Sequence, residues 1–231
     1  ERTLFNAFLS GRSLDGRRFF YDNPLLRRGS PRVFGWHGNE RAEWFDVACC
    51  PPNLMRLLSS LSHYFVTRDV AGIQVHQYAG MEVETDLDAG RMAFSVRTEY
   101  PWDGAVTLIL RAAPEAPVRL SLCIPAWCRR PSLRVNHSAA PVETGDRGYV
   151  VIERCWKPGD VVALDLPMPA RLTVSSQRVD ATRGCVAIER GPLVYCLESF
   201  DQPAGTDLLD VALDQAAPIG QAWRPDLLGG V

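Results

Sequence analysis

Two adjacent cysteines, Cys49 and Cys50, are the residues of this sequence best suited to chemistry. They precede Pro51, Pro52 and an apolar stripe at helical spacing, which predicts both thiols in extended chain at the start of a helix. The free N–H groups and the helix dipole at such a start favour a thiolate. A bond between adjacent cysteines would strain the disulfide, so we expect both sulfurs to lie within reach of one point.

The spacing of this pair leaves three interpretations open: metal ligands, a catalytic thiol, or two small buried hydrophobic side chains. Zinc binds thiolate sulfur at about 2.3 Å and usually takes four ligands, so two further ligands would have to come from elsewhere. A redox pair is disfavoured by Pro51 and Pro52, because redox sulfurs must move together.

The remaining cysteines are interpreted as buried free thiols, because they lie in apolar, strand-like contexts without zinc-ribbon spacing. They favour a reducing compartment, and we therefore predict a cytoplasmic location. These residues are Cys123, Cys128, Cys155, Cys185 and Cys196.

The spacing of apolar residues, which predicts the helices and strands that position the cysteine pair, changes near residue 67. Before it, the apolar spacing predicts a short helix at the start of the chain, ended by Gly11, and a second helix over 53–66. After it, alternation with period two predicts eleven short strands, which is typical of a β-sandwich. Two turns are predicted between strands, a type II turn at Pro158-Gly159 and a hairpin turn at Asn136-His137.

Composition excludes several classes of protein. The chain has 231 residues, of which 46% are hydrophobic and 23% charged, so it is not disordered. A net charge of −2 argues against a nucleic-acid partner. No apolar run reaches about 18 residues, so no membrane partner is predicted. The chain does not begin with Met, and we expect it to be an internal piece of a longer protein.

Six segments, in order, resemble glycoside hydrolase family 127, the β-L-arabinofuranosidase family. The likeness runs over most of the chain and thins after about residue 200. The segments are Glu1–Asn6, Phe19–Leu25, Trp44–Arg56, Ile124–Trp127, Trp156–Asp160 and Arg190–Tyr195.

The resemblance implies a mixed fold, the C-terminal end of an (α/α)6 barrel followed by β-sandwich domains, so that this chain is mostly β. The predicted limits are 1–66 for the end of the barrel, 67–170 for a β-sandwich, and 171–231 for a second, incomplete β-sandwich. The oligomeric state cannot be predicted.

The resemblance also implies a retaining, zinc-dependent glycosidase that releases non-reducing-end β-L-arabinofuranose from a glycan. By motif position, Cys49 is the nucleophile, and Cys49 and Cys50 are zinc ligands. The two other ligands, a Glu and a Cys, and the acid/base Glu lie upstream in the family and outside this chain, so the chain alone is predicted to be inactive.

Four further residues are candidates for sugar contacts. Glu1 and Tyr21 lie in the matching segments and could border the sugar, or they could be an ordinary helix-face charge and a packed aromatic. Trp44 could stack on a furanose, although packing in the barrel wall is favoured, and His37 fits a solvated loop better than a substrate contact. Structural roles are predicted for the other histidines, His63, His76 and His137.

Two alternative functions stay open at this stage. The chain could be a non-catalytic β-sandwich module that binds sugar or braces the barrel, or a metal or redox protein that uses the vicinal thiols. Zinc content of the full-length protein separates the enzyme from the module, and loss of zinc on mild oxidation without loss of glycosidase activity would favour the sensor.

Overall fold

The computed structural model describes residues 1–21, 41–47, 49–145 and 147–226. The fold is mostly β, as predicted, with few helices. It forms two compact units, one of Glu1–Arg56 with Ala170–Val231 and the other of Leu57–Pro169. The domain limits predicted at 66/67 and 170/171 remain predictions.

The unit of Leu57–Pro169 contains two sheets, formed by strands β1–β10. Strands β1, β2, β6 and β9 form a four-stranded sheet in that order, and the order in the six-stranded sheet is β3-β4-β5-β10-β7-β8. All pairings are antiparallel except β2 with β6. The bounds are β1 Val66–Asp69, β2 Gly72–Val75, β3 Met81–Leu87, β4 Gly90–Thr98, β5 Ala105–Ala112, β6 Val118–Cys123, β7 Ser132–Val135, β8 Ser138–Ala140, β9 Tyr149–Arg154 and β10 Val161–Asp165.

Each sheet turns an apolar face inward. Ile73, Leu120 and Leu122 of the four-stranded sheet are fully buried, as are Phe94 and Leu108 of the six-stranded sheet. Alternation of buried and exposed residues along β5 and β6 produces these faces. Two faces of this kind enclose a core in the manner of a sandwich. Strands β1 and β8 were missed from the sequence because both are short and mainly exposed.

Both predicted turns are present. The Lys157 carbonyl accepts from the Asp160 N–H at 3.0 Å, and Gly159 has φ +91, as a type II turn requires. Asn136 and His137 have φ of 49 and 69 between β7 and β8, the left-handed pair of a type I′ hairpin turn. His137 is therefore a turn residue, in agreement with the structural role expected for it.

The helix after the cysteine pair begins earlier than predicted. Helix α1 spans Cys50–Ser60, and a 3-10 turn follows over Leu61–Tyr64, whereas the sequence predicted one helix over 53–66. The expectation of extended chain at Cys50 was wrong, because Pro51 and Pro52 are accommodated in the first helical turn, where no N–H is needed. The chain also begins with a π-helical turn over Leu4–Leu9 that ends before Gly11, as predicted.

The second unit contains a three-stranded sheet in the order β11-β12-β13. Its strands are Ala170–Val174, Val186–Arg190 and Leu193–Tyr195. Asn6 pairs with the open edge of β13, since its amide accepts from the Val194 N–H at 2.7 Å and donates to the Pro192 carbonyl at 2.8 Å. A side-chain amide thus substitutes for a neighbouring strand at this edge.

The burial predicted for the later cysteines was wrong for three of them. Cys155, Cys185 and Cys196 are exposed, whereas Cys128 is buried. Each of the three exposed cysteines lies one residue beyond the end of a strand, where the alternation that buries one face of the sheet no longer applies.

A buried carboxylate joins the same sheet to the start of the chain. Glu189 on β12 is 4% exposed and binds Arg2 at 2.8 Å and Arg171 at 2.6 Å. Burial alone would raise the pKa of Glu189, but the hydrogen bonds from Arg2, Thr173 and Arg171 outweigh it and lower the pKa below its ordinary value. These partners compensate the burial of the Glu189 charge.

No helix in the described residues is both long and apolar enough to cross a membrane.

Gly104 is required where β5 begins beside the end of β10. A Cβ at this position would lie 2.0 Å from the Leu166 carbonyl oxygen, and the Gly104 carbonyl accepts from the Leu166 N–H at 3.0 Å. We expect Gly104→Ala to lower the free energy of unfolding by about 3 kcal/mol. Gly80→Ala is the matched control, because nothing lies within 4 Å of its Cβ, and a change below about 0.5 kcal/mol is expected. Urea unfolding measures both, and equal effects would contradict this explanation.

His76 makes the stability of the unit of Leu57–Pro169 depend on pH. Its Nδ1 lies 2.6 Å from the Tyr149 hydroxyl and its Nε2 2.7 Å from Thr67 Oγ1, and burial lowers its pKa below 6.5. The folded state therefore binds fewer protons than the unfolded state, and this contribution to stability is present above pH 6.5 and lost as pH falls through the folded pKa.

We expect the free energy of unfolding to fall as pH falls from 6.5 to the lower folded pKa of His76, by at most about 1.4 kcal/mol per pH unit. His76→Gln should remove this slope, whereas His63→Gln, which changes an exposed side chain, should keep it. Urea unfolding at several pH values between about 5 and 8 provides the measurement. A slope that survives in His76→Gln would assign the effect to another group.

Candidate functional site

The two cysteine sulfurs lie together at the start of α1. Cys49 Sγ is 3.5 Å from Cys50 Sγ, and neither cysteine forms a disulfide. Cys49 immediately precedes the helix and is exposed, while Cys50 is its first residue and is half-buried. The Asn53 amide donates to the Cys49 carbonyl at 3.0 Å and so ties the pair to the first turn. The expectation of two sulfurs facing one point is confirmed.

Tyr21 is the sequence-predicted residue that the structure brings to this pair. Its hydroxyl lies 3.6 Å from Cys49 Sγ, a hydrogen-bond distance for sulfur. The Tyr21 and Phe19 rings both meet Phe45 edge to face, with centroids 5.5 Å and 5.0 Å apart. Phe45 is only 7% exposed, so its packing fixes the direction of the Tyr21 ring.

The pKa of the Cys49 thiol is lowered from its ordinary value, first by the hydrogen bond from Tyr21 and then by that from Cys50. The sequence attributed a thiolate here to free N–H groups of the helix start. Two of these N–H groups are absent, because Pro51 and Pro52 have no N–H. Their positions in the first turn remove two of the donors that a helix start normally offers.

The thiol pair has the chemistry of two ligands of a tetrahedral zinc ion. Two sulfurs each about 2.3 Å from one zinc lie roughly 3.8 Å apart, close to the 3.5 Å between Cys49 and Cys50. Within the described residues, no group of three or more His, Cys, Asp and Glu side chains could hold a metal. The pair therefore fits part of a zinc site, and further ligands would have to come from other residues.

Of the other residues considered in the sequence, Glu1, Trp44 and His63 lie within the described residues. Glu1 precedes the π-helical turn, where its carbonyl accepts from the Phe5 N–H at 3.1 Å, and a sugar contact by Glu1 stays a prediction. Trp44 is 68% exposed, in the same segment as Phe45, and its role also stays a prediction. His37 lies outside the described residues. His63 is exposed in the 3-10 turn, in keeping with a structural role.

Two residues that contact the segment around Tyr21, Arg41 and Phe45, were missed from the sequence. Phe45 lies inside the matching segment Trp44–Arg56, but its aromatic type alone did not distinguish a buried packing centre from the other aromatics nearby. Arg41 forms a bidentate pair with Glu198, 157 residues further along the chain, and no local pattern predicts a contact of that separation.

Three family models match consecutive parts of the chain. The model described as the catalytic domain of β-L-arabinofuranosidase, GH127, matches residues 1–63. The GH127 middle domain matches residues 72–168, and the glycoside hydrolase family 127 C-terminal domain matches residues 170–225. The thiol pair therefore falls in the part that matches the catalytic-domain model.

Individual relatives agree with these matches. A non-reducing end β-L-arabinofuranosidase of Bifidobacterium longum subsp. longum is 36% identical over all of this chain, which spans 36% of its length. The crystal structure of a GH127 β-L-arabinofuranosidase from Geobacillus stearothermophilus T6 is similar with a TM-score of 0.88 and 38% identity, covering 99% of this chain and 36% of that one. Another GH127 β-arabinofuranosidase structure has a TM-score of 0.87 and 32% identity, covering 99% and 37%. The chain thus spans little more than a third of these relatives.

A partial zinc site predicts weak metal binding by these 231 residues alone. Zinc binding to structural sites with a full ligand set has a free energy of about 10–16 kcal/mol. With half of the ligands, we expect a binding free energy on the order of 6–8 kcal/mol, which corresponds to a dissociation constant in the micromolar range or weaker. Cys50→Ser should weaken it further, whereas Cys185→Ser, which changes an exposed thiol, should not. Titration with a zinc indicator measures this, and tight one-to-one binding would contradict a site of two thiols.

Proposed function

Because the chain belongs to glycoside hydrolase family 127, we propose that the full-length protein is a retaining β-L-arabinofuranosidase whose nucleophile is Cys49. The observation that carries this proposal is the Cys49 sulfur, exposed at the start of α1, with the Tyr21 hydroxyl at 3.6 Å and the second thiol at 3.5 Å. A nucleophile of this class needs an accessible sulfur with a lowered barrier to ionisation.

The reaction we propose is a double displacement at the anomeric carbon. Cys49 Sγ attacks that carbon, the bond to the leaving oxygen breaks, and a carboxylic acid outside this chain protonates the oxygen. Water then attacks the same carbon while its proton passes to that carboxylate, the carbon–sulfur bond breaks, and the thiolate and the acid are both restored. Two inversions give retention, with sulfur in the place that a second carboxylate occupies in most retaining glycosidases.

Cys49 and Cys50 are proposed as two ligands of a zinc ion, and the spacing of their sulfurs supports this assignment. When bound, zinc would keep the thiols ionised near neutral pH. Tyr21 would also support the charge on a Cys49 thiolate, because its hydroxyl is placed to donate to the sulfur. The remaining ligands, a Glu and a Cys, are proposed to come from outside this chain.

The substrate we propose is a glycan that ends in β-L-arabinofuranose. The B. longum relative is named for release of this sugar from the non-reducing end. A sugar joined to Cys49 would lie against the Tyr21 hydroxyl, which supports Tyr21 as a substrate contact as well as a support for the thiol. Glu1 is retained as the second proposed contact.

The segment 1–66 is proposed as the end of an (α/α)6 barrel. Its match to the catalytic-domain model over residues 1–63 supports this, as do the half-buried or exposed apolar side chains of α1, none of which is buried within the described residues. These side chains, among them Leu58 at 49% exposure, would pack against the rest of the barrel.

The two cysteines should differ in role in the full-length enzyme. Cys49→Ser should reduce β-L-arabinofuranoside hydrolysis by about 10⁴-fold or more and leave part of the zinc bound, because a serine hydroxyl is far harder to ionise. Cys50→Ser should chiefly weaken zinc binding, and excess zinc should restore part of the activity. Zinc stoichiometry and initial rates, with Cys185→Ser as the control, distinguish the two.

Near-normal turnover in Cys49→Ser would remove Cys49 as the nucleophile. A full-length protein that binds zinc but hydrolyses no arabinofuranoside would favour the metal or redox alternative, and one that does neither would favour the non-catalytic module.

A further inference from the structure

We propose that Glu198, in the part of the chain that matches the C-terminal domain, is a positioning residue for the Cys49 thiol. It acts through Arg41 and through the backbone hydrogen bonds between Ala42 and Phe19, which lies two residues before Tyr21. This inference rests on the proposed function, since it assigns a role in the same site.

Glu198 and Arg41 form a specific and partly buried ion pair. The two guanidinium N–H groups of Arg41 donate to the two carboxylate oxygens of Glu198, each at 3.1 Å. The two side chains are 20% and 31% exposed. A planar fork that meets a carboxylate in this way fixes the direction of both groups, whereas an exposed pair would not. Glu198 lies three residues after β13, so the three-stranded sheet determines its position.

Arg41 also contacts the chain that precedes Tyr21. Its guanidinium lies 4.3 Å from the centroid of the Phe20 ring and donates to the Ser10 carbonyl at 2.8 Å. The next residue, Ala42, exchanges both backbone hydrogen bonds with Phe19, each at 3.0 Å. Movement of Arg41 would therefore move Phe19 and Phe20, which immediately precede Tyr21.

The contact between the Tyr21 hydroxyl and Cys49 Sγ is sensitive to small displacements of Tyr21. The Tyr21 hydroxyl is 3.6 Å from Cys49 Sγ, so a displacement of about 1 Å would break the contact. Misplacement of a catalytic group by about 1 Å is sufficient to lower a rate by roughly 10²-fold. Removal of the Glu198 charge leaves Arg41 partly buried without its counter-ion, and relief of that cost favours its withdrawal toward water.

The test is a double-mutant cycle in the full-length enzyme with Glu198→Gln and Tyr21→Phe. If Glu198 acts through Tyr21, we expect Glu198→Gln to lower kcat by about 10-fold with little change in KM, and the double variant to be no slower than Tyr21→Phe alone. Asp180→Asn is the control, since Asp180 makes an exposed ion pair with Arg183 in the same compact unit, and it should leave kcat unchanged.

The proposal would be overturned if the double variant lowers kcat by the product of the two single factors. It would also be overturned if Glu198→Gln leaves kcat unchanged. If Glu198→Gln does not fold, Glu198→Asp gives the same comparison, because it keeps the charge but is too short to reach both guanidinium nitrogens.

A second measurement does not depend on glycosidase activity. The rate at which iodoacetamide alkylates Cys49, followed by peptide mapping, should change in the same direction in Glu198→Gln as in Tyr21→Phe, and the double variant should show no further change. If the wild-type protein hydrolyses no arabinofuranoside but this pattern holds, the proposed function fails and the positioning role stands. If hydrolysis is normal and Cys49 alkylation is unaffected by Glu198→Gln, the positioning role fails alone.

Discussion

The contact between the Tyr21 hydroxyl and the Cys49 sulfur is the interaction on which the account of this site depends. It is the first cause of the lowered pKa of Cys49, and it joins two stretches of chain that are 28 residues apart. A helix start of the usual kind would supply backbone donors to a thiolate, but Pro51 and Pro52 remove two of them. The Tyr21 hydroxyl lowers the pKa of Cys49 in place of those backbone donors.

The position of the Tyr21 hydroxyl depends on the packing around Tyr21. Phe45 holds the Tyr21 ring from one side, and the Phe19–Ala42 pair holds its backbone. The three-stranded sheet also binds the start of the chain at two places. Glu189 pairs with Arg2, and Asn6 forms hydrogen bonds with the edge of β13. The sheet that matches a separate C-terminal family model therefore supports the segment that matches the catalytic-domain model.

The sequence was sufficient for the features that local pattern determines. Period-two alternation located β5 and β6, and Pro158-Gly159 located a turn, because each depends on residues close in sequence. The start of α1 was misplaced because proline disfavours but does not forbid a helical residue before it. The thiol pair was found from residue type alone, and the family from six ordered segments.

What the sequence could not provide was the set of contacts between distant residues. Arg41 with Glu198 and Asn6 with Val194 join positions more than 150 residues apart, and neither side chain has a pattern that indicates its partner. Phe45 was visible as an aromatic but not as a buried one, since burial there depends on Phe19 and Tyr21 folding onto it.

The central claim is that a sugar becomes bonded to Cys49 during turnover. The most direct measurement is mass spectrometry of the full-length enzyme quenched in acid during hydrolysis of an activated β-L-arabinofuranoside, followed by peptide mapping. The account predicts a mass increase of one anhydropentose on the peptide that contains Cys49 and Cys50, located on Cys49 by fragmentation and absent from Cys49→Ser. An adduct on Cys50 or on a carboxylate would contradict it.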